Sequence, residues 1–310
     1  MRDTPPFPAD APRFGDGRFV ILSRIGRGRT GVVYRGYDVE PGEWRAFKLL
    51  DAELAADWEA WDRFVGDGLL LSRTVHPNLV RVHEVIGGRA PFLVMDLVTG
   101  GTLQRWIDRY GPMPPRLACA SVLDVAWGVA AIHASGGVHG AIGPGNVLVD
   151  SHGVRLLSDL SASEDPEDFD VDVAALGDLL RRLCANDLPP RVAVVAAGCG
   201  VGSLRSAADV ADAVRQVIDG LPPDPPELAD PVLTTTGGER PVRTALLPKE
   251  LSWLVRDRTP VSLLADGARP RDDTTTTDTL RFGGAVPRTR RPSRWRRTSR
   301  SRWPAPPTAR

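Results

Sequence analysis

Two features of this 310-residue chain combine residue types that suit phosphate chemistry. The first is the glycine-rich run Gly26–Gly31, where residues without Cβ let backbone N–H groups approach an anion. Lys48 follows on an apolar strand, and a buried ammonium group needs an anionic partner. The second is Gly137–Ser161, in which a His-containing loop ends at Asn146 and two short strands lead to Asp159. This order of residues is typical of a phosphoryl-transfer site.

The elements that position these residues change in type along the chain. Strands and one helix are predicted in the first ~96 residues, and mainly helices after them, which together predict an α+β fold. The expected strands of the first part, all antiparallel, are Phe19–Ile25, Val32–Tyr37, Trp44–Leu50, Leu79–Ile86 and Phe92–Asp96, and its helix is Ala52–Arg73. In the second part we expect strands at Asn146–Asp150 and Val154–Ser158, and helices at Thr102–Tyr110, Pro115–His133, Val171–Cys184 and Ser206–Ile218.

Both ends of the chain differ in composition from this core. Residues 1–17 are rich in Pro, Asp and Gly, and residues 221–310 are rich in Pro, Thr, Gly and Arg, so disorder is predicted for both. The formal net charge of zero hides an asymmetry, because ten arginines and no acidic residue follow Asp278. The first 280 residues therefore hold 29 basic and 39 acidic side chains, a net charge of −10. An acidic body with a basic tail can associate with itself or with an anionic partner.

Cysteine use and hydropathy indicate the compartment. Cys119, Cys184 and Cys199 are few, odd in number and without metal-ligand spacing, which predicts reduced core thiols. Residues 1–12 are polar and have no signal-peptide pattern. No apolar run is expected to reach the ~18 residues that span a bilayer. The sequence therefore predicts a cytoplasmic protein with no transmembrane segment.

The glycine run, the strand that follows it and the strand lysine resemble the eukaryotic-like Ser/Thr protein kinases of bacteria, a likeness that extends over residues 18–220. It implies a two-lobed protein-kinase-like fold: an N-lobe at 18–97 with a five-stranded antiparallel sheet and one helix, and an abbreviated, mainly helical C-lobe at 98–220. It also implies ATP with Mg²⁺ or Mn²⁺ as cofactor. The implied nucleotide-binding residues are Gly26, Gly28 and Gly31 over the phosphates, Lys48 on the α- and β-phosphates, Val33 and Ala46 on the adenine, and Met95, Asp96 and Leu97 as gatekeeper and hinge.

The resemblance also places the ion pair and the metal ligands. Asp67 lies where the family has the Glu that pairs with the lysine, and Glu59 is the alternative if the helix is shifted. Asp is one methylene shorter than Glu, so this pair departs from the family pattern. The implied metal ligands are Asn146 and Asp159.

The stretch Val138–Asn146 matches the family's catalytic loop without gaps but lacks three of its side chains. His139, Pro144 and Asn146 are kept. Ala141 replaces the Asp that accepts the substrate hydroxyl proton, Gly143 replaces the Lys that neutralises the transferring phosphate, and Gly140 replaces the Arg that binds a phosphorylated activation loop. No catalytic residue is assigned for this reason.

The region that would dock a protein substrate is short. Only twelve residues lie between Asp159 and Asp172, which matches the start of the family's central C-lobe helix, and no A-P-E type anchor lies between them. The section from Cys184 to Ser206 is also too short for the usual following helices. The substrate platform is therefore predicted to be missing.

Three functions remain open on the sequence. The first is a pseudokinase with possible ATP binding, a regulatory or scaffolding role and little or no phosphotransfer. The second is an active Ser/Thr protein kinase with a non-standard catalytic loop. The third is a basic-tailed interaction scaffold whose nucleotide site is vestigial.

The partner is an unknown protein, and the tail offers two modes of contact. Thr234–Thr236 and Thr274–Thr277 are candidates for phosphorylation and phosphothreonine-dependent docking. The last residues interleave arginine with Trp295 and Trp303, which suits an anionic membrane surface or nucleic acid. A shifted reading frame in a GC-rich gene would also give such a tail.

Overall fold

The computed structural model describes residues 7–8, 10–88, 90–160 and 169–224. The acidic stretch at 161–168 and the tail at 225–310 lie outside the described residues. The tail threonines and the terminal arginines belong to that tail.

The N-terminal part is an antiparallel sheet of six strands in the order β1-β2-β3-β4-β6-β5, one strand more than the sequence predicts. Its two faces are covered by separate groups of buried side chains, one of them shared with the helical part. The strands are β1 (Arg13–Phe14), β2 (Phe19–Arg27), β3 (Gly31–Asp38), β4 (Glu43–Leu50), β5 (Val82–Ile86) and β6 (Phe92–Asp96).

The additional strand, β1, belongs to the leader that the sequence predicts to be disordered. Phe14 is buried and its ring lies 5.7 Å from Phe47 and 5.1 Å from Phe92. Phe7 is also buried, 5.3 Å from the ring of Tyr37. The prediction is therefore wrong for the described residues of the leader. The leader is polar on average, but its two phenylalanines, Phe7 and Phe14, pack on apolar surface of the sheet.

The predicted helix at 52–73 is divided into α1 (Ala52–Ala55) and α2 (Trp58–Arg73). The division falls at Asp57, whose side chain accepts hydrogen bonds from the backbone N–H groups of Glu59 and Ala60 and so caps α2. At Gly68, an added Cβ would lie 2.4 Å from Leu93 Cδ2, so α2 packs tightly on the sheet at this point.

The C-terminal part is mainly helical and is built around α4. Its helices are α3 (Leu103–Tyr110), α4 (Pro115–Ala134), α5 (Phe169–Leu183), α6 (Pro190–Gly200) and α7 (Ala207–Ile218). The hairpin of β7 (Val147–Val149) and β8 (Arg155–Leu157) completes it. Helix α4 contacts α5, α7 and β8. Ser206, the first residue of the predicted helix Ser206–Ile218, is the N-cap of α7 and forms a capping box with Asp209.

Two expectations about apolar segments are corrected by these helices. Helix α6 lies in the section between Cys184 and Ser206, where the sequence predicts no helix, although one helix does not make up the family's usual set. Helix α4 has 20 residues and a mean hydropathy of 1.6 over its apolar window, so by length and composition it could cross a membrane. In the structure, 56% of that window is buried inside the protein. The sequence prediction missed it because Arg116 and Asp124 interrupt the apolar run.

The three cysteines lie in the core as free thiols. Burial raises the pKa of Cys119 to about 12, and the pKa of Cys184 and of Cys199 to about 11. These groups are therefore protonated at neutral pH, a state that favours packing over reactivity.

Candidate functional site

The glycine hairpin between β2 and β3 closes over the end of the β7–β8 hairpin. The backbone N–H of Gly28 donates to the carbonyl of Gly31 at 2.8 Å, which makes the turn tight. A Cβ at Gly28 would lie 3.7 Å from Asp159 Oδ2, and a Cβ at Gly31 would lie 1.9 Å from the carbonyl oxygen of Leu49. A Cβ at Gly26 would contact only Val33. The tip of the hairpin therefore lies next to the carboxylate of Asp159, and Gly31 is needed for close packing of β3 on β4.

Lys48 is the buried cation of the site. Its Nζ lies 2.8 Å from Asp159 Oδ1 and 5.9 Å from the centre of the Phe64 ring, and the residue is only 6% exposed. The ion pair that the structure gives Lys48 is therefore with Asp159. Asp67, the partner implied by the resemblance, lies one helical turn after Phe64 on α2, and the alternative Glu59 is exposed in the first turn. An anion this close offsets part of the desolvation cost of burying an ammonium group.

The residues implied for adenine binding lie together on neighbouring strands. Val33 pairs with Lys48 across β3 and β4, and Ala46 pairs with Met95 across β4 and β6. Cross-strand partners point to the same face of a sheet, so these four side chains share one face. The arrangement gives an apolar wall beside the lysine.

The position implied for the hinge is held by polar contacts. Asp96 Oδ1 lies 2.6 Å from His83 Nε2 and 3.7 Å from Arg45 Nη1. The backbone N–H of Asp96 donates to the carbonyl of Arg81 at 3.0 Å. Leu97 follows directly and packs against the main core.

The central loop (Val138–Asn146) is held in place by Asp172, which lies in the first turns of α5. Its carboxylate accepts hydrogen bonds from the backbone N–H of His139 at 2.7 Å and of Gly140 at 2.8 Å. His133 Nε2 lies 2.9 Å from the same carboxylate. Burial acts to raise the pKa of Asp172, but these hydrogen bonds outweigh it and lower the pKa, so the group is an anion.

His139 is fully buried inside this loop. Its Nδ1 accepts from the backbone N–H of Ala141 at 3.2 Å, and its Nε2 lies 3.0 Å from the carbonyl of Ser158. Nδ1 as acceptor and Nε2 as donor describe a neutral imidazole. Burial lowers the pKa of His139 to about 4, in agreement with that form. The histidine thus ties the central loop to the residue before Asp159.

Asn146 ties the other end of the loop. Its Nδ2 donates to the carbonyl of Ala141 at 2.7 Å, and its own carbonyl accepts from the backbone N–H of Ser158 at 2.9 Å. Asn146 and Asp159, the two implied metal ligands, are thereby brought to the same end of the β7–β8 hairpin. Asp159 has a left-handed backbone with φ of +62°, which is uncommon for a residue other than glycine and is found at functional sites.

The loop retains its shape around the positions that lack functional groups. Ala141 is fixed by two hydrogen bonds to its backbone, from its N–H to His139 and from Asn146 to its carbonyl. At Gly143, a Cβ would have no neighbour within 4 Å, so the space for a longer side chain is present. Gly140 has φ of +69°, a conformation that glycine adopts without strain. This hydrogen-bonded framework is therefore present without a carboxylate at 141 or a cation at 143.

Two residues of this framework were missed by sequence reasoning. The sequence marks Asp172 only as the start of a helix, and His133 only as the end of another. In the structure the His133 side chain is 10% exposed, pairs with Asp172 and stacks on Phe169 at 4.3 Å. The available signal is an Asp between two valines near the start of a helix, because a carboxylate in apolar surroundings is buried only with partners.

Comparison with known proteins agrees with this geometry. The family described as "Protein kinase domain" matches residues 19–168. The serine/threonine-protein kinase PkaA of Streptomyces coelicolor is 32% identical over 257 residues, which is 78% of this chain and 46% of that protein. The serine/threonine-protein kinase PknL of Mycobacterium bovis is 38% identical over 145 residues, 46% of this chain and 36% of that protein. The chain thus spans less than half the length of these relatives.

A solved structure shares the fold. The kinase domain of PknI from Mycobacterium tuberculosis superposes with a TM-score of 0.57, over 68% of this chain and 99% of that one, at 23% sequence identity. At this level of identity the likeness shows the arrangement of strands and helices alone.

Proposed function

Because this chain belongs to the protein kinase family, with bacterial Ser/Thr kinases among its relatives, we propose that it is a nucleotide-binding pseudokinase with a regulatory or scaffolding role. It would hold ATP and a divalent cation and transfer phosphate slowly or not at all. The observation that carries the proposal is the central loop, which keeps its hydrogen-bonded shape around Ala141 and Gly143.

The donor set fits a nucleotide with its metal. Asn146 and Asp159 supply oxygen ligands of the kind that Mg²⁺ and Mn²⁺ take, and Lys48 supplies a cation next to Asp159. The hairpin around Gly28 supplies backbone N–H groups above the same carboxylate. When bound, the metal would neutralise phosphate charge. These residues would bind and orient the nucleotide, with Val33, Ala46 and Met95 as the apolar wall for the base.

The transfer step needs more than this set provides. A positioned general base contributes typically 10²–10⁴-fold in rate, and Ala141 has no group that accepts a proton. A cation beside the transferring phosphate stabilises charge that develops in the transition state, and Gly143 has none. These two losses act on different parts of the reaction, so together they leave little transfer.

Thermal shift and transfer assays on the same full-length sample test the proposal. ATP with Mg²⁺ or Mn²⁺ should raise the melting temperature of the wild type, and Lys48→Ala should abolish the rise relative to its own baseline. Asp159→Asn should remove mainly the metal-dependent part. The wild type should show no autophosphorylation, and Ala141→Asp combined with Gly143→Lys should raise ATP turnover by roughly a hundredfold.

Each alternative has its own outcome in this experiment. Autophosphorylation by the wild type that disappears in Asp159→Ala would establish an active kinase with a non-standard loop, a candidate supported by the retained ion pair of Lys48 with Asp159. The absence of any shift with ATP, in the presence or absence of metal, would establish a vestigial site and favour the scaffold.

The location and the partners belong to the same proposal. The free buried thiols support a cytoplasmic location. An unknown protein would be the partner, reached through phosphorylated Thr234–Thr236 or Thr274–Thr277, or an anionic membrane or nucleic acid would be reached through the arginines after Asp278. A chain ending at Asp224 that captures the same partners as the full chain would remove the tail from this account.

A further inference from the structure

The start of α2 carries two stacked tryptophans, of which Trp58 is exposed and Trp61 is half-buried against the core. Trp58 is 69% exposed, and its ring lies 6.1 Å from that of Trp61 with an angle of 12° between the planes. Trp61 is fixed because its Nε1 donates to the carbonyl of Gly88 at 2.9 Å. A large aromatic ring held in solvent against a fixed neighbour is an ordered apolar surface, and such surfaces are enriched at sites of protein contact.

Several carboxylates lie close to this pair along the chain. Residues 51–62 contain five acidic side chains and no basic one. Asp51 pairs with Arg27, whereas Glu53, Asp57, Glu59 and Asp62 have no ion pair among the residues that the structure describes. Asp62 follows Trp58 by four residues and therefore shares its face of the helix. The nearest basic residue along the chain, Arg63, donates its Nε to the backbone carbonyl of Glu59.

We propose that this face of α2, formed by Asp57, Trp58, Glu59, Trp61 and Asp62, is a docking surface for an arginine-bearing segment of a partner protein. A guanidinium group stacks on an indole ring and also pairs with carboxylates through two parallel hydrogen bonds. Both chemistries are present here within one helical turn. Lysine fits less well, because its strongly hydrated ammonium group has no plane to stack.

The proposed surface is connected to the nucleotide site through helix α2. It lies on α2, the helix that also carries Phe64, whose ring contacts Lys48. The surface is therefore separate from the nucleotide-binding residues but belongs to the same rigid element.

Fluorescence anisotropy with a labelled peptide tests the proposal on the full chain. The probe is an octapeptide of four Gly-Arg repeats, and the comparison peptide has four Gly-Lys repeats. Trp58→Ala should weaken binding of the arginine probe about threefold to thirtyfold, the range for loss of a cation–π contact. Glu59→Gln with Asp62→Asn should weaken it similarly, and the lysine peptide should bind less tightly than the arginine peptide.

Matched controls separate this surface from general attraction to an acidic protein. Tyr110→Ala removes another exposed aromatic ring that packs on a helical neighbour, Trp106, and should leave binding unchanged. Neutralising Glu164, Asp165, Glu167 and Asp168 removes the other acidic stretch and should have no effect. The measurements belong at about 0.15 M salt, where long-range attraction is screened.

Several results would overturn the proposal. They are the absence of binding, equal affinity for the two peptides, equal losses in Trp58→Ala and Tyr110→Ala, and loss on neutralising the acidic stretch at 161–168 instead of α2. Equally tight binding of a neutral aromatic peptide would also overturn it and show a merely apolar surface. Since no nucleotide is present in the assay, these outcomes are independent of ATP binding.

Discussion

His139 makes the stability of the central loop depend on pH. Its folded-state pKa of about 4 lies below the ordinary value of 6.5, so between these values the unfolded chain binds a proton that the folded chain does not. The free energy of unfolding should therefore fall as the pH drops from about 7 to 4, by roughly 3 kcal/mol from this group. Urea denaturation at pH 7, 6, 5 and 4 measures this slope.

The residue responsible is identified by a matched pair of variants. His139→Gln keeps a donor but cannot titrate, so the stability between pH 7 and 4 should vary less than in the wild type. His152→Gln, at an exposed turn, should keep the wild-type slope. A His139→Gln slope equal to that of the wild type would place the titration elsewhere, with the buried carboxylate of Asp172 contributing only at lower pH because its pKa is lowered.

Substitution by alanine at two helical glycines is expected to change the stability of the protein in opposite directions. An added Cβ at Gly66 on α2 meets nothing within 4 Å, so Gly66→Ala should stabilise the protein by up to about 1 kcal/mol through helix propensity. At Gly177 on α5 it would lie 2.7 Å from Cys199 Cβ and 2.8 Å from the carbonyl of Ala196 on α6. Gly177→Ala should therefore destabilise by about 1–3 kcal/mol. Urea denaturation of both variants provides the comparison, and a neutral Gly177→Ala would show that α6 is free to move away.

How far the elements could be predicted depends on how each is encoded. Strand β6 lies at its predicted residues, Phe92–Asp96, and β3 and β4 differ by one residue at their ends, because continuous or alternating apolar residues define them. Strand β1 has two residues and no periodicity. The Pro, Asp and Gly residues around it therefore lead to a prediction of disorder. Helix α6 is short and ends in glycines, a weak helical pattern.

The candidate site could likewise be predicted only in part from the sequence. A need for an anion near Lys48 follows from its place in an apolar strand, but the choice of Asp159 as that anion does not. That choice depends on how close the β7–β8 hairpin comes to the N-terminal sheet, which is a property of packing between distant segments. The role of Asp172 was hidden for the same reason, since its partners His133 and His139 are 39 and 33 residues away.

The two ends of the chain should differ in their effect on the stability of the whole protein. The leader contributes Phe14 to a cluster with Phe19, Phe47 and Phe92, and loss of a buried Phe side chain costs about 3–5 kcal/mol. A chain that begins at Arg18 should therefore melt about 10 °C below the full chain, since each kcal/mol shifts a protein of this size by roughly 2–4 °C. Phe14→Ala alone should give most of that loss, and Phe14→Leu much less.

Removal of the tail should have little effect on the melting temperature. The helical part is fastened at its end by Arg116, whose Nη1 donates to the carbonyl of Ile218 at 2.9 Å and lies 3.4 Å from that of Leu221. A chain that ends at Asp224 keeps these contacts, so its melting temperature should match that of the full chain in a parallel thermal scan. A drop as large as that caused by removing the leader would mean that residues after 224 complete the fold. In that case the arginine-rich end would have a structural role in addition to any contact with partners.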